Sequence, residues 1–239
     1  MRDLIGHDDL ETAYAVQRCL AQERIAGGSR VVGHKIGLTS TAVQAQLGVD
    51  QPDFGVLFDD AVYFDGDTLP FDSVLQPRVE AEVAFALAED LTTLPLDRAR
   101  VCSAVDHMVA AIEVCGSRID AWDITIVDTV ADNASSGAFV LGSVARTLAE
   151  LEPRAVEMEL RIDGELVSTG TGAACLGDPV EALVWLARRA HDLGDPLRAG
   201  QIVLSGALGP MRAVRPGATV TARITGLGSV SVHVDGECA

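Results

Sequence analysis

The chain has 239 residues, 18 of them basic and 35 acidic, and the resulting net charge of −17 opposes binding to nucleic-acid phosphates or anionic lipid. Hydrophobic residues make up 48% of the chain, which is enough for a globular core. The first residues lack the basic and then apolar pattern of a secretory signal, and no apolar run reaches the ~18 residues of a membrane span. We therefore expect a cytoplasmic protein with neither nucleic acid nor membrane as a partner.

Two segments carry the signals of helices. "DDLETAYAVQRCLAQERIAGG" offers Asp8 or Asp9 as an N-cap, apolar residues near helical spacing, and a pair of glycines at its end. "DPVEALVWLARRAHDLG" begins with Asp178 as an N-cap and Pro179 in the first turn, and Gly194 suits its end. Each pattern predicts a helix.

Strand patterns dominate the rest of the sequence. Short apolar or alternating runs, separated by Gly, Pro and Asp, predict strands within 30–38, 55–64, 78–87, 108–116, 137–143, 158–167, 201–208, 218–226 and 229–236. Because helices do not alternate regularly with these strands, the prediction is an α+β fold around a curved, mixed, strand-rich sheet with a few flanking helices. The absence of a linker-like stretch favours a single domain over 1–239, helical to about residue 30 and mixed-β beyond.

The run "QPRVEAEVAFALAED" places two acids in a strand that otherwise looks buried. Side chains alternate faces along a strand, so Glu80 and Glu82 share a face, about 7 Å apart, while Val79, Val83 and Phe85 share the other. Two like charges on one face of an apolar strand need a partner or solvent.

A third acid, Glu113, lies inside the apolar run "MVAAIEVCG". A buried carboxylate is protonated, paired with a cation or bound to a metal. Arg78 and Arg118 are near enough in sequence to form salt bridges with these acids, and plain exposure is also open for each acid alone. Taken together, three oxygen donors from two strands with no His or Cys alongside suit a hard divalent cation such as Mg²⁺ or Mn²⁺.

Other polar residues have both a local and a functional interpretation. Lys35 stands in the apolar run "VVGHKIGLTS", where it is either an exposed strand-end residue or a buried cation. Asp53 follows Pro52 in a turn-like segment, and the local hydrogen bonds of a turn are enough to explain an Asp at this position. The stretch "VDTVADNASSGAF" contains Asn133 and Ser135 among other polar residues, for which capping and turn hydrogen bonds are the ordinary explanation.

Several familiar motifs are absent from the sequence. The glycines of "STGTGAACLGDP" form a permissive loop but lack the dinucleotide-binding spacing, and neither HExxH nor GxSxG occurs. The five cysteines are widely spaced and include no CxxC pair, so they predict free thiols, and Cys115 is interpreted as packing rather than as a nucleophile.

The motifs in order resemble a known family. "RDLIG", "VGHKIGLTS", "LGVDQPDFG", "LQPRVEAEVAFAL", "IEVCGSRIDAWDITIVDTVADNASSG", "TGTGAACLGDP" and "QIVLSGALGPM" are similar to the 2-hydroxypenta-2,4-dienoate (2-keto-4-pentenoate) hydratases of the fumarylacetoacetate hydrolase-like superfamily. The resemblance covers residues 2–234. It implies a β-roll fold and a metal-dependent lyase of meta-cleavage catabolism that adds water to a dienoate, giving 4-hydroxy-2-oxopentanoate.

The resemblance also implies roles for particular residues. It assigns Glu80, Glu82 and Glu113 to Mg²⁺ or Mn²⁺. It places Lys35, Asp53 and Ser135 in the catalytic pocket, with Asn133 and Thr171 toward the substrate. A homo-oligomer is expected, as is association with a pathway decarboxylase or aldolase.

Three alternatives remain open at this stage. Decarboxylation of 4-oxalocrotonate by a related enzyme would use the same chelation of a 2-oxo acid, although "QPDFG" and the E-A-E pair resemble the hydratase pattern. Hydrolysis of an acylpyruvate would call for a His–Glu pair, which is not evident near Lys35. A catalytically silent structural partner would have no physical need for the acids and the lysine.

Overall fold

The computed structural model describes residues 1–40, 44 and 51–236 of the chain. The beginning of the "LGVDQPDFG" string and Cys238 lie outside the described residues. The helices are α1 (Arg2–Ile5), α2 (Leu10–Ala26), α3 (Arg98–Ala104), α4 (Ile126–Ala131) and α5 (Pro179–Asp192). The strands are β1 (Val31–Gly37), β2 (Asp53–Phe58), β3 (Val62–Phe64), β4 (Thr68–Pro70), β5 (Arg78–Leu87), β6 (Val105–Cys115), β7 (Ser136–Leu141), β8 (Glu157–Ile162), β9 (Glu165–Thr171), β10 (Ile202–Leu204), β11 (Arg212–Ala213), β12 (Thr219–Ile224) and β13 (Gly228–Asp235).

The strands form two mixed sheets. The larger one has eight strands in the order β2-β1-β10-β5-β6-β7-β3, with β11 paired to β5, and the smaller one runs β4-β13-β12-β8-β9. The β1–β10, β3–β7 and β4–β13 pairs are parallel and the other pairs are antiparallel. The α+β fold predicted from the sequence is confirmed.

Both strongly predicted helices are present with their caps. The Asp9 side chain accepts a hydrogen bond from the Thr12 amide at the start of α2, and Asp178 accepts one from the Val180 amide at the start of α5. The sequence pattern missed α3 and α4, which are only 7 and 6 residues long. Segment 158–167, predicted as one strand, is a hairpin that turns at Asp163-Gly164.

The two faces of β5 belong to different environments. Val79, Val83 and Phe85 are fully buried in the main apolar core. The opposite face begins with the two glutamates and continues to Ala84, which packs in a smaller cluster with Ala111 of β6 and Leu204 of β10. The alternation predicted from the sequence thus separates an apolar face from an acidic one near the middle of the large sheet.

Candidate active site

The acids of β5 and β6 face each other across one antiparallel pair. Glu80 lies directly opposite Glu113 in the register, and Glu82 lies two residues farther along β5. Like charges directly opposite on neighbouring strands repel, so this pairing is unfavourable without a cation. Both Glu82 and Glu113 are fully buried, and one ligand atom each of Glu80, Glu113 and Cys115 lie within 4.8 Å of one another. The structure therefore brings Glu80 and Glu113 together with Cys115, although the sequence predicted oxygen donors with no Cys alongside, and Glu82 is not part of this group.

The hydrogen bonds of these acids are incomplete. Glu82 Oε2 accepts a hydrogen bond of 2.6 Å from the Gly206 amide. Among the described residues, Glu82 Oε1 and Glu113 Oε2 receive no hydrogen bond, and the contact of Glu113 Oε1 is the ion pair with Lys35. Burial, followed by repulsion from Glu113, raises the pKa of Glu80 to about 7 and that of Glu82 well above its ordinary value. Buried oxygen donors in need of positive charge are the donor set that fits a hard divalent cation.

Lys35 is the only lysine of the sequence, and it is buried beside these acids. Its Nζ lies 3.1 Å from Glu113 Oε1 and donates a hydrogen bond of 2.9 Å to the Ala134 carbonyl. Burial opposes the charged form, but the Glu113 carboxylate raises the pKa of Lys35 well above its ordinary value. The interpretation of Lys35 as a buried cation thus fits the structure, whereas exposure at a strand end does not.

The two arginines considered as salt-bridge partners are engaged elsewhere. Arg78 places its guanidinium carbon 4.4 Å from the centre of the Trp122 ring. Arg118 forms an ion pair with Asp132, in which Nη1 and Oδ1 are 3.1 Å apart. Within the described residues, the ion pair made by the three acids is that with Lys35, and one ammonium cannot neutralise three carboxylates.

Asp53 opens β2 and faces a pair of hydroxyl groups. The hydroxyl of Thr129 donates to Asp53 Oδ2 at 3.2 Å and lies 3.3 Å from the Ser135 hydroxyl. Asp53 Oδ1 receives no hydrogen bond from the described residues, and burial raises the pKa of this carboxyl, an effect that Lys35 opposes. Gly37 is required here, because a Cβ at this position would lie 2.2 Å from Asp53 Oδ1.

A strained turn positions the groups around Lys35. Asn133, Ala134 and Ser135 have φ angles of 56°, 51° and 54°, in the left-handed region, which Asn tolerates but which costs Ala or Ser ~1–2 kcal/mol each. The turn directs the Ala134 carbonyl at Lys35 and the Ser135 hydroxyl at Thr129. Strain of this kind persists where the surrounding structure enforces it, and it is common at functional sites.

Asn133 has a different position from the one that the family resemblance implies. Its Oδ1 accepts a hydrogen bond from the Val56 amide at 2.8 Å, and its Nδ2 donates to the Val56 carbonyl at 2.9 Å. Both ends of the amide are therefore used to attach the turn to β2, and Asn133 is not among the residues that line the cavity described next.

A cavity of about 660 Å³ connects these groups to solvent. Its polar wall includes Lys35, Asp53, Glu80, Cys115, Thr129, Ser135 and Thr171. Its apolar wall includes Trp122, Ile124, Leu208, Pro210 and Met211. An apolar cavity with a few convergent polar groups is the usual form of a small-molecule site.

Sequence reasoning missed two residues that matter to this geometry. Thr129 belongs to the polar stretch for which capping and turn hydrogen bonds are the ordinary explanation, and it lies in α4, which begins with a capping box between Thr125 and Asp128. Gln17 falls at the helical spacing of the apolar residues of α2, yet its Nε2 donates to the carbonyls of Phe54 and Val130, both at 2.9 Å. A polar residue at an apolar helical position was the only available signal for Gln17.

Comparison with known proteins shows which family the chain resembles. The fumarylacetoacetate (FAA) hydrolase C-terminal family matches residues 25–235. A 2-keto-4-pentenoate hydratase from Paraburkholderia xenovorans (strain LB400) is 54% identical over 235 residues, which cover 98% of this chain and 87% of that protein. A "TodF product hydratase" from Pseudomonas putida F1 is 53% identical over 231 residues, covering 97% of this chain and 86% of that protein.

A solved structure shares the fold closely. It is a 4-oxalocrotonate decarboxylase from Pseudomonas putida G7, complexed with magnesium and adipate. Its TM-score is 0.90 at 33% sequence identity, over 94% of this chain and 86% of that one.

Proposed function

Because this chain belongs to the fumarylacetoacetate hydrolase family and, within it, to the 2-keto-4-pentenoate hydratases, we propose that it is a metal-dependent hydro-lyase. Its substrate is 2-hydroxypenta-2,4-dienoate, which takes up one water to give 4-hydroxy-2-oxopentanoate in meta-cleavage catabolism of aromatic compounds. The observation that carries the proposal is the cluster of Glu80, Glu82 and Glu113 with one lysine beneath an apolar cavity.

The three glutamates would hold Mg²⁺ or Mn²⁺. Their unpartnered, buried oxygens and their mutual repulsion support this assignment, since a divalent cation offsets both. When bound, the ion supplies Lewis acidity that stabilises negative charge on the 2-oxo group of the substrate. The protein's part is to fix the carboxylates on two paired strands, so that little rearrangement is needed.

Lys35 and Asp53 are the candidates for stabilising negative charge on the substrate and for transferring protons. The Lys35 ammonium, held by Glu113 and the Ala134 carbonyl, provides a fixed positive charge for the substrate carboxylate or the enolate oxygen. Asp53 has one carboxylate oxygen oriented by Thr129 and the other unpartnered, which suits a group that moves a proton between water and carbon. Ser135 is hydrogen-bonded within the same chain of hydroxyls.

The balance of the reaction defines what these groups must do. Ketonisation transfers the proton of the 2-hydroxyl to solvent or base and adds one proton at C5. Water then adds its oxygen at C4, where one of its protons remains on the new hydroxyl. The other proton passes to the base, and the base returns one proton to C3. Asp53 is the candidate for both exchanges, and the apolar wall of Ile124, Leu208 and Met211 limits competing water.

Decarboxylation of 4-oxalocrotonate is the second candidate, and the structural similarity to the decarboxylase favours it. The identity to that enzyme is 33%, against 54% to the hydratase. We therefore place hydration first.

One assay separates the two reactions. The purified protein is incubated with Mg²⁺ and either freshly generated 2-hydroxypenta-2,4-dienoate or 4-oxalocrotonate, and the products are identified by mass. We expect the dienoate to gain one water, and chelator to abolish the reaction. Loss of carbon dioxide from 4-oxalocrotonate without hydration of the dienoate would overturn the proposal.

We also propose that the protein is a cytoplasmic homo-oligomer. Exposed apolar side chains support association: Leu4 is 83% exposed, and Leu20 and Ile25 on α2 are about half exposed. No helix among the described residues is both long and apolar enough to cross a membrane. Light scattering at micromolar concentration should give a multiple of the 25.1 kDa chain mass, and a monomer would contradict the proposal.

A further inference from the structure

The thiol of Cys115 lies beside the acidic cluster and has no role in the proposed reaction. Cys115 ends β6, is 2% exposed and lines the cavity. Its Sγ donates a weak hydrogen bond of 3.5 Å to Glu80 Oε1. The sequence pattern predicts that this cysteine serves for packing, but its sulfur is directed to a carboxylate in the wall of the cavity.

A second observation at the same place is independent of the cysteine. Glu113 is fully buried; its Oε1 is in the ion pair with Lys35, and its Oε2 has no hydrogen-bond partner among the described residues. Ligand atoms of Glu80, Glu113 and Cys115 lie within 4.8 Å of one another, so one ion can contact all three. A thiolate with two carboxylates suits softer divalent ions such as zinc or cadmium, whereas Mg²⁺ prefers oxygen donors alone.

We infer that Cys115 gives the cavity a second metal-binding mode, in which its Sγ joins Glu80 and Glu113 around a thiophilic divalent ion. On binding, the metal–sulfur bond forms and the thiol proton leaves to solvent. This mode rests on the geometry of the three side chains. Only its competition with Mg²⁺ or Mn²⁺ rests on the proposed function, because both modes use Glu80 and Glu113.

The other described cysteines serve as controls. Cys19 is exposed on α2 and Cys102 is partly buried on α3, and neither lines the cavity. Cys175 is buried, and its Sγ donates to the Ser205 carbonyl at 2.9 Å. Cys175 is therefore the matched buried thiol whose sulfur is already engaged.

The test uses the full chain with Cys19, Cys102 and Cys238 replaced by serine, freed of metal by chelator and dialysis. Cd²⁺ is titrated while the ultraviolet charge-transfer band of a cadmium–thiolate bond is recorded. Cys115→Ser and Cys175→Ser are compared in this background, Cys115→Ala serves as a second replacement, and circular dichroism checks that each variant is folded. Binding of Mn²⁺ is measured separately by electron paramagnetic resonance.

We expect a band that saturates near one equivalent, persists in Cys175→Ser and is lost in both Cys115 variants. Cadmium affinity should fall at least tenfold in those variants, while Mn²⁺ affinity changes less than threefold. Excess Mn²⁺ should bleach the band. A band that survives in folded Cys115→Ser would overturn the inference.

The two proposals fail differently. Mn²⁺ binding without a Cys115-dependent cadmium band overturns the thiol-containing mode alone. A Cys115-dependent band in a protein that does not bind Mn²⁺ supports the thiol-containing mode and overturns the oxygen-ligand site of the proposed function.

Discussion

The two sides of the cavity differ in the regularity of their backbone and in how fully their side chains are hydrogen-bonded. The acidic side consists of regular strands, β5 and β6, and its carboxylates face one another with few hydrogen bonds. The hydroxyl side consists of the start of β2, helix α4 and a left-handed turn, and its side chains are mostly hydrogen-bonded to each other or to backbone. The repelling carboxylates therefore lie on regular strands, whereas the strained backbone angles lie in the turn at residues 133–135.

The two sides of the cavity differ in how much they depend on a bound ligand. Lys35 is one cation beside three buried carboxylates, so the energy of the carboxylates depends on what else binds between them. The hydroxyl side is assembled before any ligand arrives, because its contacts are internal to the protein. Lys35 contacts both sides, through Glu113 Oε1 and through the Ala134 carbonyl.

Lys35→Met should have the largest effect, since it removes the contact between the two sides. Loss of one partner leaves Glu113 buried without its cation, so the free energy of unfolding should fall by ~3–5 kcal/mol and activity should be lost. Urea unfolding and product assays measure both. Arg24→Met, which removes an exposed pair with Asp60, is the control and should cost under ~1 kcal/mol. An equally small loss for Lys35→Met would contradict the buried-cation interpretation.

Glu82→Gln tests the acidic side alone. One fewer charge should weaken Mg²⁺ binding and lower turnover by ~10–100-fold, with partial rescue by excess metal. The metal-free variant should be as stable as wild type or more so, because repulsion decreases while an oxygen acceptor remains for the Gly206 amide. Thermal melts and rates across a magnesium titration check this, with the exposed Glu157→Gln as control. Destabilisation by ~3–5 kcal/mol without metal rescue would indicate a structural ion pair instead.

Gln17→Leu tests how the hydroxyl side is held together. The change leaves the buried carbonyls of Phe54 and Val130 without a donor, at a cost of ~1–3 kcal/mol. These carbonyls adjoin Asp53 and Thr129, so turnover should fall more than substrate affinity. Gln22→Leu, at an exposed position of the same helix, should change stability by less than ~0.5 kcal/mol. Equal effects of the two variants would refute a positioning role for Gln17.

Asp128→Asn tests the anchoring of α4 through pH. Burial opposes ionisation, yet the amides of Arg2 and Thr125 lower the pKa of Asp128 well below its usual range. The stabilisation of the folded state by ionised Asp128 is therefore complete above the unfolded-state pKa of ~3.9. It is lost as the pH falls toward the lower pKa of the folded state. The variant should be ~1–2 kcal/mol less stable at pH 7, and the difference should narrow in acid. A difference that is constant from pH 7 to pH 2.5 would contradict this linkage.

Ala134→Gly should have the smallest effect and the opposite sign. Relief of left-handed strain, ~1–2 kcal/mol, exceeds the ~0.5–1 kcal/mol of added freedom in the unfolded chain. Chemical denaturation should show a gain of about 0.5 kcal/mol. Ala187→Gly, in the buried interior of α5, is the control and should lose about 1 kcal/mol or more. A loss at both positions would mean that the turn is not strained.

The acidic side was accessible to sequence reasoning because it lies in regular strands. A period of two places Glu80 and Glu82 on one face without knowledge of the rest of the chain. The register that sets Glu80 opposite Glu113 depends on long-range strand pairing. The sequence therefore indicated both acids as candidate metal ligands but did not predict that they lie opposite each other.

The hydroxyl side was much harder to predict. Helix α4 spans six residues and has a polar composition that turns share, so capping and turn hydrogen bonds explain the stretch without predicting a helix. The left-handed angles at Ala134 and Ser135 contradict the intrinsic preference of those residues, and tertiary packing enforces them. The contact of Gln17 with Val130 spans 113 positions, beyond any local pattern.

The hydrogen bonds of Asn133 have a consequence for association between chains. Strand β2 is at the end of the large sheet, where unpaired backbone groups invite pairing with another chain. The Asn133 amide donates to and accepts from Val56, as a neighbouring peptide unit would. A side chain thus closes part of this sheet edge, and the same turn that shapes the cavity also protects the protein against edge-to-edge aggregation.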